Sequence, residues 1–467
     1  MESGPGSGLR DRVLWLVVAI TTTLRLFFAW RFFGFLGGDD VEVLEEAFRS
    51  ALGLDYRPWD VRNLFLPDVL VAPFLRLGSV LGLHETFPLV LCATVPFIAL
   101  ASLNIVLVHA LALRWLGDRA AARAAMAIYA FHWLPLAYGS TSYPRTVSTA
   151  FLLLAAIALS GTGRDARRGV LAGIALALAF AVRYSEGMYL LPLLFVALAG
   201  AEDRRASRLR TLGALGGFIV GTALSSGLVD ALTWGDPLAS LAALVRVMLV
   251  GEGASGLSMR PPLFYLQRVL FWLPLPLLPA LVLVARSRRV RPAWVFLVVP
   301  LVVLSFIGHK ELRYLQGAIP FLAILGAAGF AVMRRRWRPV AATTLLALTL
   351  VSEVLGVRAL AGKSMAAVTA ARVMASDDSV MVVALSQAWA YGDRLYFGNR
   401  VEVRGLPTPP LAKDLDEKIL GADRVALYQK DLAEDPALAA VLTRHDFAPA
   451  RIFRWGESKA VVVFARN

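Results

Sequence analysis

About eleven stretches of this chain are apolar for long enough to be bilayer-crossing helices, at about 20 residues per span. No soluble fold can bury that many. The candidates are 12–33, 88–115, 120–138, 146–161, 169–183, 187–200, 211–229, 263–285, 293–308, 312–331 and 339–357. Hydrophobic residues make up 58% of the chain, against about 45–50% in soluble domains. Residues 13–33 follow Arg10 and Arg12 and read as an uncleaved anchor. Segment 61–83 is apolar but carries Asp68 and Arg76, so it is expected to lie along the interface. The single cysteine, Cys92, sits inside an apolar run, which excludes a disulfide framework.

A net charge of +14 invites a nucleic-acid reading, but its placement argues against one. The arginines cluster between apolar runs at 117–123, 163–168, 202–210, 286–291 and 334–338. Counting crossings puts every cluster on one side with Arg10 and Arg12, and the positive-inside rule makes that side cytoplasmic. The opposite face then receives the 34–87 loop, "STSYPRT", "RYSEG", the 230–262 loop, "HKELRY" and the C-terminus. From about residue 365 short β-rich runs such as "SVMVVALS", "RVALYQK" and "AVVVFARN" alternate with helical segments such as "LAKDLDEKIL". The fold class expected is therefore an α-helical polytopic membrane body over 1–360, with its outer loop 34–87, and a small α/β extracytoplasmic domain over 361–467.

The residues with chemical character all lie on the arginine-poor face. In "GGDDVEVLEEAF", Val41, Leu44 and Phe48 share one helical face and Glu42, Glu45 and Glu46 the rest. Asp39 or Asp40 is a natural cap for that helix. Either is equally a carboxylate held at the membrane edge to take a proton from a hydroxyl. In "FIGHKELRYLQGAIPFL", His309, Lys310, Glu311 and Arg313 are packed between apolar runs, where charge is unfavourable unless used or snorkelling. Lys310 is the only lysine before Lys363. A chain that otherwise uses arginine has placed one compact ammonium there, and the two are not interchangeable as phosphate ligands. Arg62, Arg145 and Arg183 are further cations on that face, with Trp59 beside Arg62. Asp230, Trp234 and Tyr265 complete the set, as interfacial belt residues or as groups that hold a sugar. The five histidines show no metal-ligand spacing, and no Walker A pattern or dinucleotide glycine loop occurs in the membrane body.

"HKELRYLQGAIPFL" resembles the His-Lys-Glu-x-Arg-Phe signature, followed by proline, of class C glycosyltransferases. The likeness is to the mannosyltransferase branch of GPI-anchor and dolichol-linked oligosaccharide assembly. His309, Lys310, Glu311 and Arg313 match, and Tyr314 stands for the aromatic. Where that branch has His-Pro-Asp-Glu after its first membrane helix, this chain has Gly37-Gly38-Asp39-Asp40, keeping the acidic pair and losing His-Pro. Arg62 in "WDVRNLFLP" and Arg145-Thr146 in "PRTVS" match further motifs.

The resemblance implies an inverting transferase that moves a sugar, expected to be mannose, from a polyprenyl-phosphate donor to an acceptor hydroxyl of a glycan or glycolipid. Asp39 or Asp40 would be the base, with Asp39 preferred because it aligns with the family's aspartate. His309, Lys310, Arg313, Arg62 and Arg183 would hold the donor phosphate. Glu311, Trp59, Arg145, Asp230, Trp234 and Tyr265 would contact substrate. No cofactor is implied; a divalent metal beside two acids is an open alternative. A prokaryotic inner membrane is expected, with the N-terminus cytoplasmic and the site outside. The alternatives are a transferase using another sugar or a protein acceptor, or a transporter or flippase of lipid-linked or anionic substrates. The latter would place its ionisable groups near mid-membrane.

Overall fold

The computed structural model describes residues 11–34, 36, 38–160, 166–199, 204–247, 259–333, 335–387, 392–454 and 460–466. Arg10, Gly37, parts of the arginine clusters at 163–168, 202–210 and 334–338, and part of the 230–262 loop lie outside them. Among the described residues, six helical stretches are long and apolar enough to cross a membrane: Arg12–Arg31 (α1), Thr86–Leu116, Arg204–Trp234, Arg288–Phe306, Leu312–Val332 and Arg338–Gly356. They mark an integral membrane protein. Six rather than about eleven stretches meet both criteria. The others expected from sequence are shorter or broken. Run 120–138 splits into Arg119–Ala130 and Trp133–Tyr138, and 263–285 into Phe264–Gln267, Val269–Trp272 and Leu277–Val284. Pro135, Pro274 and Pro276 lie in these two runs, where each removes a helical donor.

The chain divides into two compact units. The first comprises Met1–Phe27, Trp59–Leu66 and Pro96–Gly356; the second comprises Phe28–Pro58, Pro67–Val95 and Val357–Asn467. The sheet-bearing unit therefore takes in two segments that the sequence reading grouped with the membrane body.

After α1 the elements used below are α2 (Asp39–Leu52), α3 (Ala72–Val80), α4 (Thr86–Leu116), α5 (Arg119–Ala130), α6 (Trp133–Tyr138), α7 (Pro144–Leu159), α8 (Ala166–Val182), α9 (Leu190–Ala199) and α10 (Arg204–Thr222). They continue with α11 (Leu228–Trp234), α12 (Ala239–Val245), α13 (Phe264–Gln267), α14 (Val269–Trp272), α15 (Leu277–Val284), α16 (Arg291–Phe306), α17 (Ile319–Val332) and α18 (Arg338–Ala375).

In the first unit α8 and α10 approach backbone to backbone. A Cβ on Gly169 would lie 2.2 Å from the Arg210 carbonyl oxygen, one on Gly173 2.1 Å from that of Ala214, and one on Gly217 2.3 Å from that of Val170. The Gly169/Gly173 and Gly213/Gly217/Gly221 spacings put small residues on one stripe of each helix, the usual route to close packing in lipid. On α17, Gly329 meets α15 in the same way, a Cβ there falling 2.2 Å from the Ala280 carbonyl oxygen.

The second unit is built on five strands, β1 (Val382–Ser386), β2 (Glu402–Leu406), β3 (Arg424–Tyr428), β4 (Phe447–Phe453) and β5 (Val461–Arg466). Their order is β2-β1-β3-β5-β4. β1 runs parallel to β2 and β3, while β5 is antiparallel to β3 and β4. The largely buried runs of β1 and β3 are legible in sequence; edge strand β2 is not, because Glu402 and Arg404 interrupt its apolar residues and Glu402 and Gly405 are exposed. Between these strands lie α19 (Asp393–Phe397), α20 (Ala412–Lys418), α21 (Gln429–Glu434) and α22 (Pro436–Arg444). Met374 of α18 and Phe397 of α19 pack on one face of the sheet, Leu415 of α20 and Leu438 of α22 on the other.

Gly173→Leu is expected to cost about 1–3 kcal/mol or more through overpacking. Gly216→Ala, on the same pair but with open space around its Cβ, is expected to be neutral or to stabilise by up to about 1 kcal/mol. Thermal melts of the detergent-purified variants measure both.

Candidate functional site

The polar centre of the first unit is an arginine that has left water altogether. Pro144 sits at the first turn of α7, where its missing N–H is no loss, and Arg145 follows, 1% exposed. A cation at a helix N-terminus opposes the helix dipole, and Glu186 offsets it. Arg145 Nη1 donates to Glu186 Oε1 at 2.7 Å and to the Tyr314 carbonyl at 3.4 Å, and Nη2 to Ser185 Oγ at 3.0 Å. The guanidinium stacks 4.6 Å from the Tyr314 ring centroid. Its Nε has no hydrogen-bond partner among the described residues. Next to it Thr146 accepts from Gln316 Nε2 at 3.1 Å, and its carbonyl accepts from Asn104 Nδ2 at 3.0 Å, so "PRTVS" is held from two sides.

Arg145 lines a cavity of about 570 Å³ whose walls come entirely from the first unit. Arg62, Arg183 and His309 also line it, with Asn63, Tyr184, Ser185 and Tyr314 as the remaining polar and aromatic groups. The rest is apolar: Val182 of α8, Leu241, Leu244 and Val245 of α12, and Val303, Leu304, Phe306 and Ile307 at the end of α16. Guanidinium groups together with an apolar lining suit a ligand with an anionic head and a hydrocarbon body.

The structure distributes the remaining sequence candidates around this cavity or away from it. Lys310 is 3% exposed and donates to the Arg260 carbonyl at 3.0 Å. It reinforces a short antiparallel bridge between Met259 and His309, where Arg260 N donates to Gly308 O. It is not among the cavity-lining residues. Burial holds its ammonium below lysine's ordinary 10.5. Arg313 pairs with Glu311 and lies 5.5 Å from the Tyr143 ring centroid. Tyr265 is buried and donates to the Glu311 carbonyl at 3.3 Å, so "HKELRY" is clasped through its backbone. Arg62 stacks over Trp59 at 5.5 Å.

Asp230 is fully buried and accepts from Asn63 Nδ2 at 2.7 Å, Ser240 N at 3.0 Å and Tyr184 OH at 3.4 Å. Its carboxylate pins the Asn63 loop, α11 and α12 behind the cavity. Trp234 ends α11, its indole N–H buried with no partner among the described residues. Glu186, Asn63, Ser185 and Tyr184 escaped the sequence reading. "RYSEG" contained the signal, a lone acid three residues from an arginine between apolar runs.

Asp39 and Asp40 belong to the second unit and open α2. Neither is the N-cap. Gly38 holds that position with φ 93°, and no side-chain cap bond forms. Asp40 instead reaches back, accepting from Leu36 N at 2.6 Å and from Val41 N at 3.0 Å, which fixes the chain as it enters the helix. Asp39 is 7% exposed and Asp40 1%. Glu45 and Glu46, expected on the face away from Val41, Leu44 and Phe48, are buried as well; α3 packs against α2, and Arg49 pairs with Asp68 at 3.2 Å.

A model of the Alg9-like mannosyltransferase family matches residues 51–382. The chain belongs to that family. No curated protein matches it. Among solved structures it is similar to ArnT from Cupriavidus metallidurans bound to undecaprenyl phosphate, with TM-score 0.64 and 13% identity over 97% of this chain and 98% of that one. It is also similar to the archaeal oligosaccharyltransferase AglB from Archaeoglobus fulgidus in complex with an inhibitory peptide and a dolichol-phosphate, with TM-score 0.56 and 14% identity over 97% and 74%. A third is the arabinofuranosyltransferase AftD from Mycobacteria, with TM-score 0.53 and 17% identity over 97% of this chain and 40% of that one. At these identities the likeness shows the fold, that of class C glycosyltransferases.

Removing Glu186 alone leaves a buried guanidinium unpaired, so Glu186→Ala is expected to destabilise by about 3–5 kcal/mol. The double variant Arg145→Met/Glu186→Leu is expected to recover most of that. Unfolding in mixed micelles, read by thermal melts, checks the pair.

Proposed function

We propose that this chain is an inverting glycosyltransferase that takes a sugar, mannose on the family's precedent, from a polyprenyl-phosphate donor and transfers it to a glycan or glycolipid hydroxyl. The observation that carries the reading is the cavity lined by Arg62, Arg145, Arg183 and His309 together with the apolar residues of α12 and α16. The guanidinium groups would take the phosphate oxygens and stabilise the charge that develops as the phosphate leaves. The α12 and α16 wall would take the first isoprene units. A donor delivered from the bilayer explains why no nucleotide loop is present in the membrane body.

Asp39 is the preferred base in this reading. Asp40 already spends both oxygens on backbone amides that shape the entry to α2. The reaction we infer is an attack of the acceptor oxygen on the anomeric carbon as its proton passes to the carboxylate, with the C–O bond to the donor phosphate breaking. Lys310 would act by holding the 259–260 segment against His309 and adding positive potential. Arg313 and Glu311 would steady the same turn, and Trp59, Trp234, Tyr265 and Asp230 would shape the surroundings. We place the transfer on the extracytoplasmic face of a prokaryotic inner membrane, with the expected crossings beyond the six long ones supplied by the shorter helices. No resident metal is invoked, so chelation with EDTA is expected to leave transfer unchanged.

Three measurements test this. With radiolabelled polyprenyl-phosphate mannose in proteoliposomes, Arg183→Ala is expected to lower kcat/KM on the order of 10²-fold, the usual consequence of losing one charge-stabilising donor. Asp39→Asn is expected to lose on the order of 10²–10⁴ in kcat with an unchanged melting temperature. Asp40→Asn is expected to lower the melting temperature. Full transfer by both aspartate variants would end the catalytic assignment.

The third measurement is pH. Because the folded chain holds the Lys310 ammonium below lysine's ordinary 10.5, the unfolded state binds more protons in the window between the two pKa values. Stability therefore rises with pH across that window while donor affinity falls. Lys310→Arg is expected to remove both alkaline limbs.

A further inference from the structure

The sheet of the second unit holds a cleft that the donor reading does not use. The parallel strands stand in the order β2-β1-β3. The connection leaving β1 runs through α19, whose Phe397 packs with Val383 and Leu385 of β1 on one face. The connection leaving β2 runs through α20, whose Leu415 packs with Ala384 of β1 on the other. Ligands of open α/β sheets bind outside the carboxyl ends of parallel strands, and β1 and β2 end side by side there, Ser386 opposite Leu406.

A cavity of about 500 Å³ lies there. It is bounded by Gln387 beyond β1, Leu406, Pro407 and Thr408 at the end of β2, and Asp414 and Lys418 of α20. Gln387 holds φ 53°, a conformation that non-glycine residues adopt rarely and that tends to persist at binding sites.

The lining chemistry narrows the ligand. An amide, a hydroxyl, a carboxylate and an ammonium can all exchange hydrogen bonds with hydroxyl groups. Asp414 repels a phosphate and Lys418 repels a cation, so a neutral ligand is favoured. Leu406 and Pro407 supply a short apolar wall of the kind that meets the C–H face of a pyranose. Within the same unit, α19 is tied to the helix that carries Asp39. Asn399, just past α19, donates to the Gly53 carbonyl at 3.1 Å and accepts from Asp55 N at 2.6 Å, clasping the C-terminal end of α2. Thr86 Oγ1 donates to the Leu395 carbonyl of α19 at 3.0 Å.

We propose that the cleft at the carboxyl ends of β1 and β2 binds the neutral glycan of the acceptor. The inference rests on the glycosyltransferase reading for the word acceptor, but its test does not use the transfer reaction. Saturation-transfer NMR on the full-length protein in nanodiscs, without donor, reads binding of mannobiose, galactobiose and chitobiose, with AMP as the comparison ligand.

Saturable transfer to at least one disaccharide, reduced at least fivefold in Asp414→Ala and in Thr408→Val but kept in Arg183→Ala, supports the proposal. No saturable transfer from any of the three overturns it. So does binding that survives both cleft variants, binding that disappears only with Arg183→Ala, or binding of AMP in place of the sugars. Unchanged circular dichroism of the two cleft variants shows that the sheet has folded. Failure of the donor assay with disaccharide binding intact would strike the glycosyltransferase reading and leave the cleft standing.

Discussion

The buried pair of Arg145 and Glu186 is the constraint around which the first unit is arranged. A guanidinium 1% exposed at a helix N-terminus survives only if a carboxylate and further acceptors surround it. That requirement brings α7, the turn after α8 and the segment after "HKELR" to one place, through Glu186, Ser185 and the Tyr314 carbonyl. It also leaves Gly317 no freedom. A Cβ there would lie 2.9 Å from Tyr189 OH and 3.3 Å from Glu186 Oε2. The cavity opens beside the point where these segments converge, and Arg145, Ser185 and Tyr314 line it.

Packing in lipid supplies the second constraint. With no hydrophobic effect to drive helices together, contact depends on how closely backbones can approach. The glycine stripes of α8 and α10 bring carbonyl oxygens to where side chains would otherwise stand. That contact positions Ala181, Val182 and Arg183 at the end of α8 as cavity walls. Asp230 does the same for α12 through Ser240, holding Leu241 and Leu244 as the apolar side. Polar fasteners such as Asp230 and the glycine stripes of α8 and α10 are not among the lining residues, yet they hold the elements that are.

Much of this was legible in the residues themselves. Hydropathy marked the membrane body, and runs such as "SVMVVALS" marked the sheet. The separation of arginine clusters from "HKELRY" and "GGDD" flagged which polar residues were chemical. Other features were hidden for physical reasons. Proline breaks at 135, 274 and 276 turned apolar runs into short helices, and hydropathy does not register a broken helix. The cap expected of Asp39 or Asp40 did not form because Gly38 takes the cap position and Asp40 turns back to Leu36 N. The burial of Glu45 and Glu46 was hidden because the pattern of one helical face carries no information about what packs on it.

The sequence by itself determined the class of molecule, since a count of long apolar segments and the sign of the charge between them depend on local composition alone. It also determined the family, because "HKELRY" is contiguous. Which polar groups line the cavity was decided by tertiary structure. Arg62, Arg145, Arg183 and His309 come from four separate segments, while Lys310, next to His309, turns to the Arg260 carbonyl. Adjacent residues of an extended segment point to opposite sides, so neighbours in a motif need not share a site, and residues far apart in sequence can.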